Sequence, residues 1–199
     1  MGSSGRSTGA TSDFEDDVRR VETIEWKDAT SNKTLANTFT YLSFFTPKYS
    51  YSVNRWRVES GSTAWIYTTG AGVRLSLYTV AADGAGTLVA RSAVSTAAFL
   101  AASTEYTFDL ATAGGYPSSY DLVVGTRYAF GLSIDWAGTV GSVPGLQTAG
   151  AAAVRFSRRR KSGRLAAADP PVSFVAGGIT DTALAPFYAA MINTADSGT

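Results

Sequence analysis

Short runs of alternating apolar residues fill the chain from Leu35 onward, and no other feature constrains the fold as strongly. In the run 73–79, for example, Val73, Leu75 and Leu77 share one side and polar or larger residues occupy the other. Successive side chains of a β-strand point to opposite faces, so this period of two predicts a half-buried strand.

Glycine-rich segments separate these runs. Asp83-Gly84-Ala85-Gly86 is a hairpin signal, and Gly70-Ala71-Gly72 indicates another turn. The predicted strands are 39–45, 51–59, 64–68, 73–79, 87–90, 106–110, 127–135, 153–157, 173–175 and 187–193. Many short strands without a helix between them predict an all-β fold, an antiparallel β-sandwich of jelly-roll type. The run 39–45 is apolar on both faces, which places it inside the sandwich.

The first 34 residues differ in composition from the rest. Residues 1–12 are mostly Gly, Ser and Thr, and Ser12 to Glu15 form a capping box. Phe14, Val18 and Val21 follow at helical spacing, which predicts a short amphipathic helix from 13 to about 24 whose apolar stripe needs a partner. We therefore expect a docking arm over 1–34, a sandwich domain over 35–194 and a polar tail over 195–199.

Charge and residue usage exclude several functions. Only 17% of the 199 residues are charged, against roughly 25% in an average soluble protein, so we expect part of the surface to be covered by other molecules. A net charge of +1 argues against a nucleic-acid partner. No apolar stretch is long enough for a secretory signal or for membrane insertion, which predicts synthesis in the cytoplasm. We predict no cofactor.

The chain contains no histidine and no cysteine, which rules out a Ser-His-Asp triad and thiolate or imidazole metal sites. Paired carboxylates remain as glycosidase candidates, because four acidic residues flank predicted strands: Glu105, Asp109, Asp121 and Asp135. Solvation of strand ends is a far more common role for such residues, and no motif raises the catalytic alternative. We predict no catalytic residue and no metal site, and the chain is not expected to be an enzyme.

Two side-chain groups are candidates for binding. The aromatic residues Trp65, Tyr67, Tyr116, Tyr120 and Trp136 lie near predicted turns and strand ends, where they would form a platform for sugar rings, pack in the core or contact a subunit. The basic cluster comprises Arg155, Arg158, Arg159, Arg160, Lys161 and Arg164. Its alternatives are docking onto an acidic segment such as 13–17, contact with a phosphate-rich polymer, or a solvated loop.

Four stretches of the chain resemble a known family. They are 73–78, the hairpin 83–90, the run Leu122-Val123-Val124-Gly125-Thr126-Arg127-Tyr128 with its continuation to Leu132, and the closing segment 186–192. Together they resemble a β-sandwich module of structural proteins from tailed bacteriophages, especially those of actinobacteria, over roughly residues 38–193. The resemblance implies a virion protein of the tail tip, tail fibre or capsid surface, and it transfers no catalytic residues.

These observations predict a structural virion protein, assembled in the host cytoplasm. It would dock through its arm onto other virion proteins and expose the sandwich, with a tail-associated or host-adhesion role and contact with host surface glycans. The alternatives are a capsid decoration or head-fibre protein that stabilises the shell, and a carbohydrate-binding module of a non-viral protein. Because homo-oligomers favour closed symmetry, we expect self-association, as in a trimer.

Overall fold

The computed structural model describes residues 20–24, 29, 31–142, 145–148, 162–180 and 186–195. These residues form an all-β, antiparallel structure, which confirms the predicted fold class at that level. Its strands are β1 (Val21–Glu22), β2 (Ser31–Thr34), β3 (Phe39–Phe45), β4 (Tyr51–Val53), β5 (Arg55–Glu59), β6 (Ile66–Val80), β7 (Gly86–Arg91), β8 (Glu105–Asp109), β9 (Tyr120–Leu122), β10 (Tyr128–Ser142), β11 (Gly145–Thr148), β12 (Ser162–Leu165), β13 (Ser173–Phe174) and β14 (Ala189–Ile192). A short 3-10 turn spans Ala176–Gly178.

The strands assemble into two larger and two smaller sheets. The six-stranded sheet has the order β12-β3-β10-β6-β7-β13, and the four-stranded sheet has the order β1-β14-β5-β8. The pairs β11-β2 and β4-β9 form the two-stranded sheets. The two larger sheets face each other across one core, where Trp56 of β5 meets Phe130 of β10 with ring centroids 5.2 Å apart.

The six-stranded sheet is buried on its inner face and over part of its outer face. On β3, Tyr41 and Phe45 join the core between the sheets, whereas Leu42 and Phe44 join a second cluster on the outer face. The chain segment 165–180 covers this outer face with Leu165, Phe174 and Ile179. The prediction that the run 39–45 is buried on both sides is therefore confirmed.

The N-terminal helix predicted over 13–24 is wrong where the structure describes it. Residues Val21 and Glu22 form the edge strand β1, which pairs with β14 through Val21 and Met191. The Val21 side chain is buried in this chain's own core, so it is not available to a partner. Pairing with β14 therefore stabilises a strand at these residues more than their helical spacing stabilises a helix. Phe14, Val18 and the rest of the predicted helix before residue 20 lie outside the described residues.

The turn predicted at Gly70-Ala71-Gly72 is also wrong, because β6 runs unbroken from Ile66 to Val80. Here β6 pairs with the equally long β10, and register shifts between Asp135 and Ser142 mark bulges in that ladder. A bulge places an extra residue in one strand of a pair, and the strand continues beyond it. The predicted strand 51–59 is divided at Asn54, and the predicted strand 153–157 lies outside the described residues.

A glycine on the central strand β10 tests how tightly the outer face is packed. A Cβ atom on Gly131 would lie 2.3 Å from Ser76 Oγ and 3.2 Å from Tyr78 Cε2. We expect Gly131→Ala to lower the free energy of unfolding by about 1–3 kcal/mol through overpacking, measured by urea denaturation. Adding Ser76→Ala, which removes the nearest atom, should restore part of the loss. Gly177→Ala is the control, since a Cβ atom on Gly177 would meet no atom within 4 Å. Unchanged stability in Gly131→Ala would contradict the described packing.

Candidate functional site

A polar groove lies on the outer face of the six-stranded sheet, where β6 and β10 run side by side. Two directly opposed pairs form its floor, Arg74 with Ser133 and Gly72 with Asp135. Val94, Ala168 and Asp169 complete its lining, and the groove has a volume of about 290 Å³. Four separate chain segments thus converge on one concave surface.

Hydrogen bonds hold one wall of the groove in place. Thr40 Oγ1 donates to the carbonyl oxygen of Ala167 at 2.9 Å. Because this bond uses the only hydroxyl hydrogen of Thr40, Ser133 is the donor in the 2.6 Å bond between the two hydroxyls. Arg74 forms an ion pair with Asp169. The segment 167–169 is therefore fastened to both β3 and β6.

The opposite wall depends on a glycine. A Cβ atom on Gly72 would lie only 2.4 Å from Cγ1 of Val94, so a larger residue would displace this valine. Val73 and Ser95 each donate a backbone hydrogen bond of 2.8 Å to the carbonyl oxygen of the other. These two bonds hold the segment that contains Val94 next to β6. The groove thus has one aliphatic wall and one charged wall.

The groove combines donors and acceptors. Arg74 is a half-buried guanidinium whose Nε–H is buried and has no hydrogen-bond partner in the part of the chain that the structure describes. Asp135 and Asp169 are exposed carboxylates. The exposed carboxylates are therefore the groups of the groove that a ligand can reach most easily.

A second surface lies beyond one end of these strands, next to the start of β10. Tyr49, Val123 and Val124 are 40%, 51% and 52% exposed, and we call these three residues the terminal apolar surface. The two loops that carry them are joined, because Val124 N–H donates to Ser50 Oγ at 3.1 Å. Adjacent exposed apolar side chains of this kind mark interaction sites more often than isolated ones do.

Both ends of the described chain lie beside the terminal apolar surface. The Tyr49 hydroxyl donates to the carbonyl oxygen of Arg20 at 2.5 Å, next to the start of β1. Tyr51, whose ring centroid is 6.1 Å from that of Tyr49, accepts a 3.1 Å bond from the Asn193 amide. Burial, followed by the charge of Glu22, raises the pKa of Tyr49, so this phenol remains a donor at neutral pH.

The aromatic candidates do not form a common platform. Trp65 is only 1% exposed and packs against the half-buried Trp136 with ring centroids 5.8 Å apart, so core packing describes this pair. Tyr116 lies under the Arg91 guanidinium, 4.8 Å from its carbon. Tyr120 contacts Tyr128 beside the core, where burial raises the pKa of Tyr120 to about 12. The Tyr67 side chain lies outside the described residues.

Most of the basic cluster, including Arg158, Arg159, Arg160 and Lys161, also lies outside the described residues. Arg164 is the described member, and its guanidinium carbon sits 4.1 Å from the centroid of the Phe39 ring. At this position the side chain packs on the sheet through a cation–π contact.

The acidic candidates occupy different sheets. On the outer face of the four-stranded sheet, Asp109 pairs with Arg55 at 2.6 Å and Glu105 with Arg57 at 3.5 Å. Asp135 belongs to the groove on the six-stranded sheet, and Asp121 is exposed on β9. Within the described ranges, no three acidic residues gather as metal ligands would, and no helix is long and apolar enough to cross a membrane.

Two glutamates on this charged face oppose each other directly, Glu59 on β5 and Glu105 on β8. Burial, and secondarily the charge of Glu105, raises the pKa of Glu59. A raised carboxyl pKa means that folding disfavours the charged form of Glu59. The resulting loss of stability is complete at a pH above the pKa in the folded state, and it is absent at a pH below the pKa in the unfolded state.

We therefore expect Glu59→Gln to stabilise the protein at neutral pH by about 0.2–1 kcal/mol, a small effect because solvent screens the pair. The gain should disappear as the pH falls below about 4, the ordinary range of a glutamate. Urea denaturation across this pH range measures the difference. Asp121→Asn is the matched control, since Asp121 faces Ser52 rather than an acid. A gain that persists at low pH would show that charge is not its cause.

Comparison with known proteins finds no family model and no curated protein that matches this chain.

Proposed function

We propose that this chain is a non-enzymatic structural protein of a tailed-bacteriophage particle, tail-associated and involved in host adhesion. It would dock through its N-terminal arm and display a jelly-roll-like β-sandwich built from the two facing sheets. The motif resemblance points to virion proteins of this kind. A capsid-decoration role would use the same docking end, so the two locations differ only in the partner.

One observation carries the docking proposal: Arg20, the first residue that the structure describes, lies beside the terminal apolar surface. Its carbonyl oxygen accepts a hydrogen bond from Tyr49 of that surface, and β1 is an edge strand of its sheet. A polar arm over residues 1–19 would act together with these exposed apolar side chains, so that one partner would meet two adjoining contacts. Such paired contacts strengthen binding, because the second contact forms at high effective concentration.

The low charge of the chain agrees with this proposal. Charged residues make up 17% of the sequence, and the described ion pairs lie mainly on the outer face of the four-stranded sheet. Interface cores are depleted in charge, so an end with Val123 and Val124 suits contact with another protein or with copies of this chain. We expect a homo-oligomer, as in a trimer.

The docking proposal predicts that Val123→Asp with Val124→Asp abolishes incorporation into particles. Both positions are exposed, so the charges should weaken the interface while the fold persists. The measurement uses a virus that lacks the gene and receives it in trans, with the protein quantified in purified particles. Val175→Asp is the matched control, because Val175 is 68% exposed and follows β13, three strands away from β10 in the six-stranded sheet.

A deletion of residues 1–19 tests the arm and should likewise prevent incorporation. The cut must stop before Val21, because this residue is buried and the nearby Thr23 hydroxyl donates to the Phe187 carbonyl at 2.6 Å. Circular dichroism verifies that the truncated chain folds. Normal incorporation of both variants, or absence of the wild-type protein from particles, would overturn the proposal.

A further inference from the structure

We propose that the groove over β6 and β10 binds one pyranose ring of a glycan, as a neutral ligand rich in hydroxyl groups. The observation behind this proposal is that a half-buried arginine and two exposed carboxylates line the same groove of about 290 Å³. The site goes beyond the docking role and does not depend on it.

The hydrogen-bonding groups of the groove match a sugar hydroxyl, which both donates and accepts. The carboxylates of Asp135 and Asp169 accept hydrogen bonds, and Arg74 donates them. The Asp135 side chain has no hydrogen bond or ion pair within the described ranges, so both of its oxygens are open to a ligand.

The charges of the groove disfavour an anion and favour a ligand that donates hydrogen bonds. Two carboxylates and one guanidinium line it, and the guanidinium is paired with Asp169. The Asp135 carboxylate therefore keeps an unbalanced negative charge, to which a hydroxyl group can donate. The same hydroxyl group can accept a hydrogen bond from a guanidinium, so it suits both kinds of charged group in the groove.

The shape of the groove also suits a sugar ring. Val94, Gly72 and Ala168 supply small apolar contacts for the C–H face of a pyranose. Its volume lies at the lower limit of small-molecule sites, which span roughly 300–1,000 Å³, and this size restricts it to a single ring. Thr40 and the Arg74–Asp169 pair fix one wall in advance, so binding needs little rearrangement.

The test is a two-dimensional amide NMR titration of the full chain with the methyl glycosides of glucose, galactose, mannose and rhamnose. We expect saturable shifts at Gly72, Ser133, Asp135 and Asp169 with at least one glycoside, and a dissociation constant of about 1 mM, the weak affinity that a single ring can supply.

Asp135→Asn tests the site itself. The Asp135 side chain is exposed and has no hydrogen bond or ion pair in the part of the chain that the structure describes, so the variant should fold normally. Loss of the charged acceptor should weaken glycoside binding about tenfold. Asp121→Asn, an exposed acid on β9, is the matched control and should bind as the wild type does.

Three outcomes would overturn the proposal. They are the absence of groove shifts with all of these glycosides, groove shifts with propylammonium chloride but with no glycoside, and unchanged affinity in Asp135→Asn. The Val123→Asp and Val124→Asp variant should bind glycosides normally, and Asp135→Asn should still enter particles. Failure of the groove proposal is therefore distinguishable from failure of the docking proposal.

Discussion

The central strand β10 and its burial on both faces support the rest of the structure. It pairs along one edge with β3 and along the other with β6, in unbroken register from Tyr128 to Ile134. Its inward side chains pack on the four-stranded sheet, and its outward side is covered by the segment 165–180. Apolar residues must therefore appear on both faces of these strands.

The groove arises where this outer cover ends. Leu165, Phe174 and Ile179 seal one part of the face with apolar contacts, whereas Ala167 to Asp169 meet the strands through polar ones. The transition follows from the outward residues of the two long strands, which change from Ala129 and Tyr78 to Ser133 and Arg74. A covered apolar face thus becomes an accessible polar groove along a single pair of strands.

The two proposed contacts are well separated along the same pair of strands. From Arg74 to Val80 the strand β6 spans about 20 Å, at about 3.3 Å per residue. The groove lies near Arg74, and the loops of the terminal apolar surface lie beyond the far end of this ladder. A partner bound at the terminal apolar surface would leave the groove open to solvent, which is the arrangement that an anchored binding protein needs.

The sequence by itself determined the all-β class, the two-sided burial of the run 39–45 and the hairpin at Asp83 to Gly86. These features follow from a local period of two and from local turn chemistry: Gly84 has a φ of +86°, and the Asp83 carboxylate accepts a 2.9 Å bond from the Ala85 amide. Only the tertiary structure decided that Val21 belongs to a strand, that Gly72 continues one, that Trp65 is buried, and that Arg74, Asp135 and Asp169 share a groove. Each of these depends on segments far apart in the chain, and long-range pairing and packing free energy outweigh the local preferences that a sequence displays.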